Sequence, residues 1–108
     1  MELIDRARQI DRKIEDAKKC RDTLPSLVTA MARANGRYAR EFQVALIKLR
    51  AKGEPATICN KLAEGECNEA LIAKFEAEGV YKITIEKLRG IYNELNGCQS
   101  VFRYFSHT

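Results

Sequence analysis

The sequence predicts an all-α protein, an antiparallel coiled-coil-like hairpin of two long helices joined by a short one. Three observations predict it. Apolar residues recur at alternating steps of four and three along most of the chain, the period of a helical seam and not of a strand. Charged residues make up 31% and aromatic residues 7%, with no Trp, which suits long solvated helices with a thin aliphatic core. Punctuation at Gly53, Pro55 and Gly65 divides the chain into a long, a short and a long segment. With 108 residues the prior is a single domain, 1–108.

The first helix is predicted over 2–52. Leu3, Ile10, Ala17, Leu24, Met31, Tyr38 and Ala45 fall at one heptad position, and Ala7, Ile14, Arg21, Val28, Asn35, Phe42 and Leu49 at another, four residues on. All but Arg21 and Asn35 are apolar, so the pattern reads as the a/d seam of a coiled coil. Pro25 lacks a backbone donor and crowds the preceding turn, and Asn35-Gly36 is a common helix-ending dipeptide. The register runs through both unchanged. One long helix kinked near Pro25 is therefore favoured over two that break near Pro25 or Asn35. Asn35 at a seam position reads either as a device that fixes register or oligomer state, or as a helix end.

Gly53 is expected to stop this helix. Glu54-Pro55-Ala56-Thr57 then starts a short helix over 55–63, with Pro55 at the first helical position, and Glu64-Gly65 ends it. A second seam follows in Cys67, Ala70, Lys74, Ala77, Tyr81, Thr84, Leu88, Ile91, Leu95, Cys98, Phe102 and Phe105, of which only Lys74 is charged. It predicts a final helix over 67–104, long enough to return antiparallel along the first. Leu27, Val44, Leu46 and Ile47 flank the first seam, and Leu71, Ile85 and Tyr92 the second. These stripes are wider than one hairpin covers, which predicts a homo-oligomer.

Catalytic signatures are missing from the sequence. There is no P-loop, no G-x-G-x-x-G, no H-E-x-x-H, and the single histidine, His107, is one residue from the end. No enzyme activity and no cofactor are expected. Cys20, Cys59, Cys67 and Cys98 match no zinc spacing and read as free thiols, so no metal is expected either. Glu64, Glu66 and Glu69 read as carboxylates that offset the dipole at the start of the last helix. Met1–Ile10 contains no apolar run of the length a secretory signal needs, and no run is long enough to cross a bilayer. A cytoplasmic protein without membrane contact is expected.

Charge is the informative functional signal. Residues 1–52 carry 13 Lys/Arg against 7 Asp/Glu, and residues 53–108 carry 6 against 8. Arg33, Arg37 and Arg40 follow i, i+4, i+7 spacing and so form one helix stripe, and the stretch from Arg33 to Lys52 holds six basic residues, Lys48 and Arg50 among them, with only Glu41 to oppose them. Such a stripe suits salt-sensitive, sequence-independent contact with nucleic-acid phosphates, or it is a solvated face that answers the acidic second helix. Phe102-Arg103-Tyr104-Phe105 resembles a stacking platform for single-stranded bases. Phe102 and Phe105 fall on the seam, however, which leaves Arg103 and Tyr104 as its candidates.

Residues 38–105 resemble a family. A long helix that ends Leu46-Ile47-Lys48-Leu49-Arg50-Ala51-Lys52-Gly53, a short Pro55-Ala56-Thr57 helix and a closing Gln99-Ser100-Val101-Phe102-Arg103-Tyr104 look like small helical accessory proteins of bacteriophages and prophages. The layout is also similar to UvsY-type recombination mediators, which form rings and bind single-stranded DNA. The resemblance implies an oligomeric, non-catalytic accessory protein that binds single-stranded DNA or a recombination protein, with Arg33, Arg37, Arg40, Lys48 and Arg50 as its phosphate contacts, in the host cytoplasm if the chain is phage-encoded. A second reading is an anti-CRISPR-like inhibitor of a host defence system that acts by direct protein binding to a host or phage protein. A structural coiled-coil assembly protein is a third.

Overall fold

The computed structural model describes residues 2–107. Four helices follow in order: α1 (Glu2–Asp22), α2 (Leu24–Ala51), α3 (Ala56–Glu66) and α4 (Asn68–Ser106), with no strand among the described residues. The chain is all-α and hairpin-like, and it divides into two units. One is formed by Met1–Pro25 with Lys82–Thr108, the other by Ser26–Tyr81.

In the first unit α1 packs antiparallel on the C-terminal part of α4. The order of the contacts shows the direction. The Arg6 guanidinium sits 4.8 Å from the Phe105 ring centroid, Lys13 Nζ donates to Glu94 Oε2, and Cys20 Sγ lies 3.6 Å from the Thr84 carbonyl oxygen. Ala17, Cys20 and Leu95 are the buried apolar residues here. Small residues on α1 permit close helix approach, and charged or aromatic groups clamp the rim.

The second unit holds the larger core: Ala45, Leu46 and Leu49 of α2 against Cys59 and Ala63 of α3 and Cys67, with Tyr38 and Phe42 packed on it. α2 and α4 run antiparallel here as well, and Lys74 Nζ lies 5.3 Å from the Tyr38 ring centroid. The one charged seam residue thus places its ammonium against an aromatic ring and its stem in the helix interface.

The long helix expected over 2–52 is divided at Thr23. The Pro25 nitrogen has no hydrogen to give the Arg21 carbonyl, and its ring disfavours helical geometry for the residue before it. The chain tightens one turn instead: Thr23 N donates to Cys20 O at 3.2 Å and Thr23 Oγ1 donates to the same oxygen at 2.7 Å. No break occurs at Asn35-Gly36. Asn35 lies inside α2 and is exposed, so it is neither a helix end nor a seam residue.

Gly53 stops α2 as expected, at φ 83°. Glu54 N donates to Leu49 O at 3.1 Å and Gly53 N to Arg50 O at 3.0 Å, the paired bonds of a glycine-terminated helix. Pro55 precedes α3 and does not open it: its ψ of 136° is extended, and it occupies the N-cap. Gly65 does not end α3, which continues to Glu66. The interruption falls at Cys67, whose N–H donates to Ala63 O at 3.0 Å while its own carbonyl already accepts from Leu71 N at 2.9 Å. The final helix accordingly runs over 68–106 where 67–104 was expected. Of the expected dipole carboxylates only Glu69 stands in the first turn of α4, whereas Glu64 and Glu66 close α3.

Candidate nucleic-acid interface

The basic stripe lies wholly on α2. At about 100° per residue, Arg33, Arg37, Arg40 and Lys48 fall within roughly 80° of arc, turned away from the buried side that carries Ala45 and Leu49. All four are exposed. At ~1.5 Å per residue the row from Arg33 to Lys48 is roughly 22 Å long. Arg50 is exposed too and stands about 100° round the helix from Arg33, beside the row rather than on it.

One carboxylate competes for the row from the same helix. Arg37 Nε lies 3.5 Å from Glu41 Oε2. Arg33, Arg40, Lys48 and Arg50 form no ion pair among the described residues. Pairing of Arg37 with Glu41 at exposed i, i+4 spacing is weak and is readily exchanged for a phosphate.

The two ends of the row differ. At its N-terminal end a shallow groove is lined by Val28, Thr29, Ala32 and Gly36 beside Arg33, Arg37 and Arg40, with no carboxylate in it. Small side chains there leave room for a chain to lie against the helix with arginines along one edge. At the other end, Arg40, Val44, Ala45 and Lys48 meet Glu41, Glu66 and Cys67. Burial, together with Glu41 and Glu66, pushes the Cys67 thiol up from its ordinary range and keeps it protonated at neutral pH. The positive potential is therefore concentrated between Arg33 and Arg40.

The aromatic cluster at the end of α4 belongs to the other unit. Tyr104 is 68% exposed and stands edge-on to Phe105, with centroids 5.4 Å apart. Phe102 is half-buried and Arg103 exposed. One face of Phe105 is taken by Arg6, yet Phe105 is exposed and not the core residue its seam position predicts, so it joins Tyr104 and Arg103 among the groups this cluster presents to solvent. All four cysteines are free thiols. No group of three or more metal-ligating side chains occurs among the described residues. No helix among them is long and apolar enough to cross a membrane. His107 is exposed and lies just beyond α4.

No family model, curated protein or solved structure matches the chain. The site is thus defined by its own geometry. Sequence spacing aligned Arg33, Arg37 and Arg40, while Lys48 and Arg50 were added on charge; helix rotation sets Lys48 beside the three arginines and Arg50 apart from them. Spacing did not find the groove floor at Val28, Ala32 and Gly36, although each small residue of the pair Ala32 and Gly36 directly precedes an arginine of the row.

Proposed function

We propose that the chain is a non-catalytic accessory protein that binds single-stranded DNA along α2, acts as an oligomer, and belongs to the kind of machinery that handles recombination intermediates. The observation that carries this reading is the exposed row of Arg33, Arg37 and Arg40 beside a groove that contains no carboxylate. Charges on one helix edge meet phosphates and leave the bases unread, so the affinity is sequence-independent. A flexible single strand can straighten to follow a linear row, whereas a duplex presents a stiff, curved backbone to it.

Fluorescence anisotropy with a labelled single-stranded oligonucleotide tests the proposal. Wild-type protein is expected to bind at low salt, and the variant with Arg33→Glu, Arg37→Glu and Arg40→Glu to lose binding while it keeps its helical circular dichroism. Wild-type protein that does not bind at low salt overturns the DNA reading. It would then favour direct binding to a protein, as an inhibitor of a host defence enzyme would show.

A further inference from the structure

A second strip of α2 adjoins the arginine row. At about 100° per residue, Ala32, Gly36, Gln43 and Ile47 fall within roughly 60° of arc, directly beside Arg33 and Arg40. No carboxylate of α2 shares that arc, and its one charge, Arg50, stands at the C-terminal end. Ile47 is 65% exposed, the most exposed large apolar side chain between Ser26 and Tyr81. Gly36 lies in mid-helix, where glycine is destabilising relative to alanine. Its φ is not positive, and a Cβ there would meet only the Arg40 guanidinium, at 3.6 Å. Packing within the chain explains neither residue.

We infer that this strip carries the bases of the bound single strand, with Ile47 as their apolar contact and Gly36 as the gap that lets them lie close to the helix. This rests on the DNA-binding reading and adds what a phosphate row by itself lacks, a side chain that prefers a single strand to a duplex. A strand whose phosphates follow Arg33, Arg37, Arg40 and Lys48 lays its bases to one side of the row or the other.

The side beyond Lys48 carries Glu41, and Glu66 lines the same groove as Arg40, Val44 and Lys48. A base laid there would strip water from two carboxylates, which is costly. The strip on the opposite side offers small or uncharged groups. Every base has an apolar face, so contact with Ile47 is sequence-tolerant and adds to the charge term without reading the bases. In a duplex those faces are stacked inside, out of reach of Ile47, and the phosphates alone meet the row. Cations set beside an exposed apolar side chain, with the acids kept to the far flank, are the complement of an anionic chain with apolar faces.

Fluorescence anisotropy at one low salt concentration tests this with three labelled probes matched in phosphate number: a thymidine oligonucleotide, an abasic strand and a hairpin duplex. The wild type is expected to bind the thymidine strand roughly fivefold or more tighter than the abasic one, for burial of apolar surface at Ile47. Ile47→Ala, on a side chain the fold leaves exposed, should remove most of that difference with unchanged circular dichroism. Its affinity for the abasic strand and the duplex, and its slope of log K against log salt, should stay at the wild-type values, because no phosphate contact is lost. Ile47→Phe should widen the difference, since an aromatic ring stacks on bases. A wild type that binds the thymidine and abasic strands equally, or an Ile47→Ala variant that keeps the full difference, overturns this inference and leaves the phosphate row standing. A wild type that binds none of the three probes overturns the DNA-binding reading and this inference together.

Discussion

Lys74 holds its ammonium 5.3 Å from the centroid of the Tyr38 ring, so the single charge on the α4 seam is directed onto an aromatic face. Tyr38 in turn leans on Phe42, with centroids 5.8 Å apart. The three side chains join α2 to α4 above the core of the second unit. Lys74→Ala removes the cation and its packed stem. It is expected to lower stability by about 0.5–1 kcal/mol, read as a reduced urea midpoint with an unchanged slope. Lys74→Arg should keep most of that stability, because a guanidinium also stacks on the ring.

Pro25 accounts for the division between α1 and α2. Pro25→Ala restores an N–H that can reach the Arg21 carbonyl and removes the ring clash, so the two helices are expected to fuse through Thr23. Amide hydrogen exchange checks this: protection should appear at residue 25 and rise at residues 23 and 24. Thr23→Val, with Pro25 retained, deletes the bond from Thr23 Oγ1 to Cys20 O and should cost about 1 kcal/mol. Fusion without Pro25 and loss without the hydroxyl together assign the interruption to these two residues.

Lys13 and Glu94 set a pH dependence in the first unit. The hydrogen bond that Lys13 donates to Glu94 raises the Lys13 ammonium above the ordinary lysine value of 10.5, by holding the charged form. A lysine whose pKa is raised by folding contributes stability that is fully present below the unfolded value and is lost as pH climbs through the folded one. Stability should therefore fall above about pH 10.5, and Lys13→Met should flatten that part of the curve. Thermal unfolding of both proteins from pH 8 to 11.5 reads the difference.

Much of the architecture was legible because period and register survive in the sequence. Along α4 the predicted seam from Cys67 to Phe102 is buried or half-buried throughout, and Phe105 alone lies exposed. The α2 stop at Gly53 followed from the need for positive φ, which glycine meets without strain. The first seam was less faithful. Ile14, Arg21, Val28 and Asn35 share one heptad position and are all exposed, because the partner helix covers mainly the other position, from Ile10 through Ala17 to Ala45. Heptad phase therefore did not decide between kink and break, since a one-residue tightening at Thr23 leaves the phase almost unchanged. The end of α3 was misplaced for another reason: glycine weakens a helix without compelling it to stop, and Cys67 supplies the turn.

At the candidate interface, spacing alone aligned Arg33, Arg37 and Arg40, since i, i+4, i+7 geometry is a property of any helix. Lys48 and Arg50 were added by charge and proximity in sequence, and rotation about the helix brings Lys48 near the row while it carries Arg50 off it. The presence of Glu66 beside Lys48 was not legible, because it depends on how α3 returns against α2.

The most direct measurement of the central claim is the slope of log K against log salt for single-stranded DNA. Three to four phosphate contacts by Arg33, Arg37, Arg40 and Lys48 predict a slope of roughly −2 to −3, at about −0.7 per contact. Lys48→Gln should lower its magnitude by about 0.7, and Arg50→Gln should leave it unchanged. A slope near zero for the wild type, or an equal loss on Arg50→Gln, would contradict a phosphate-tracking row on α2.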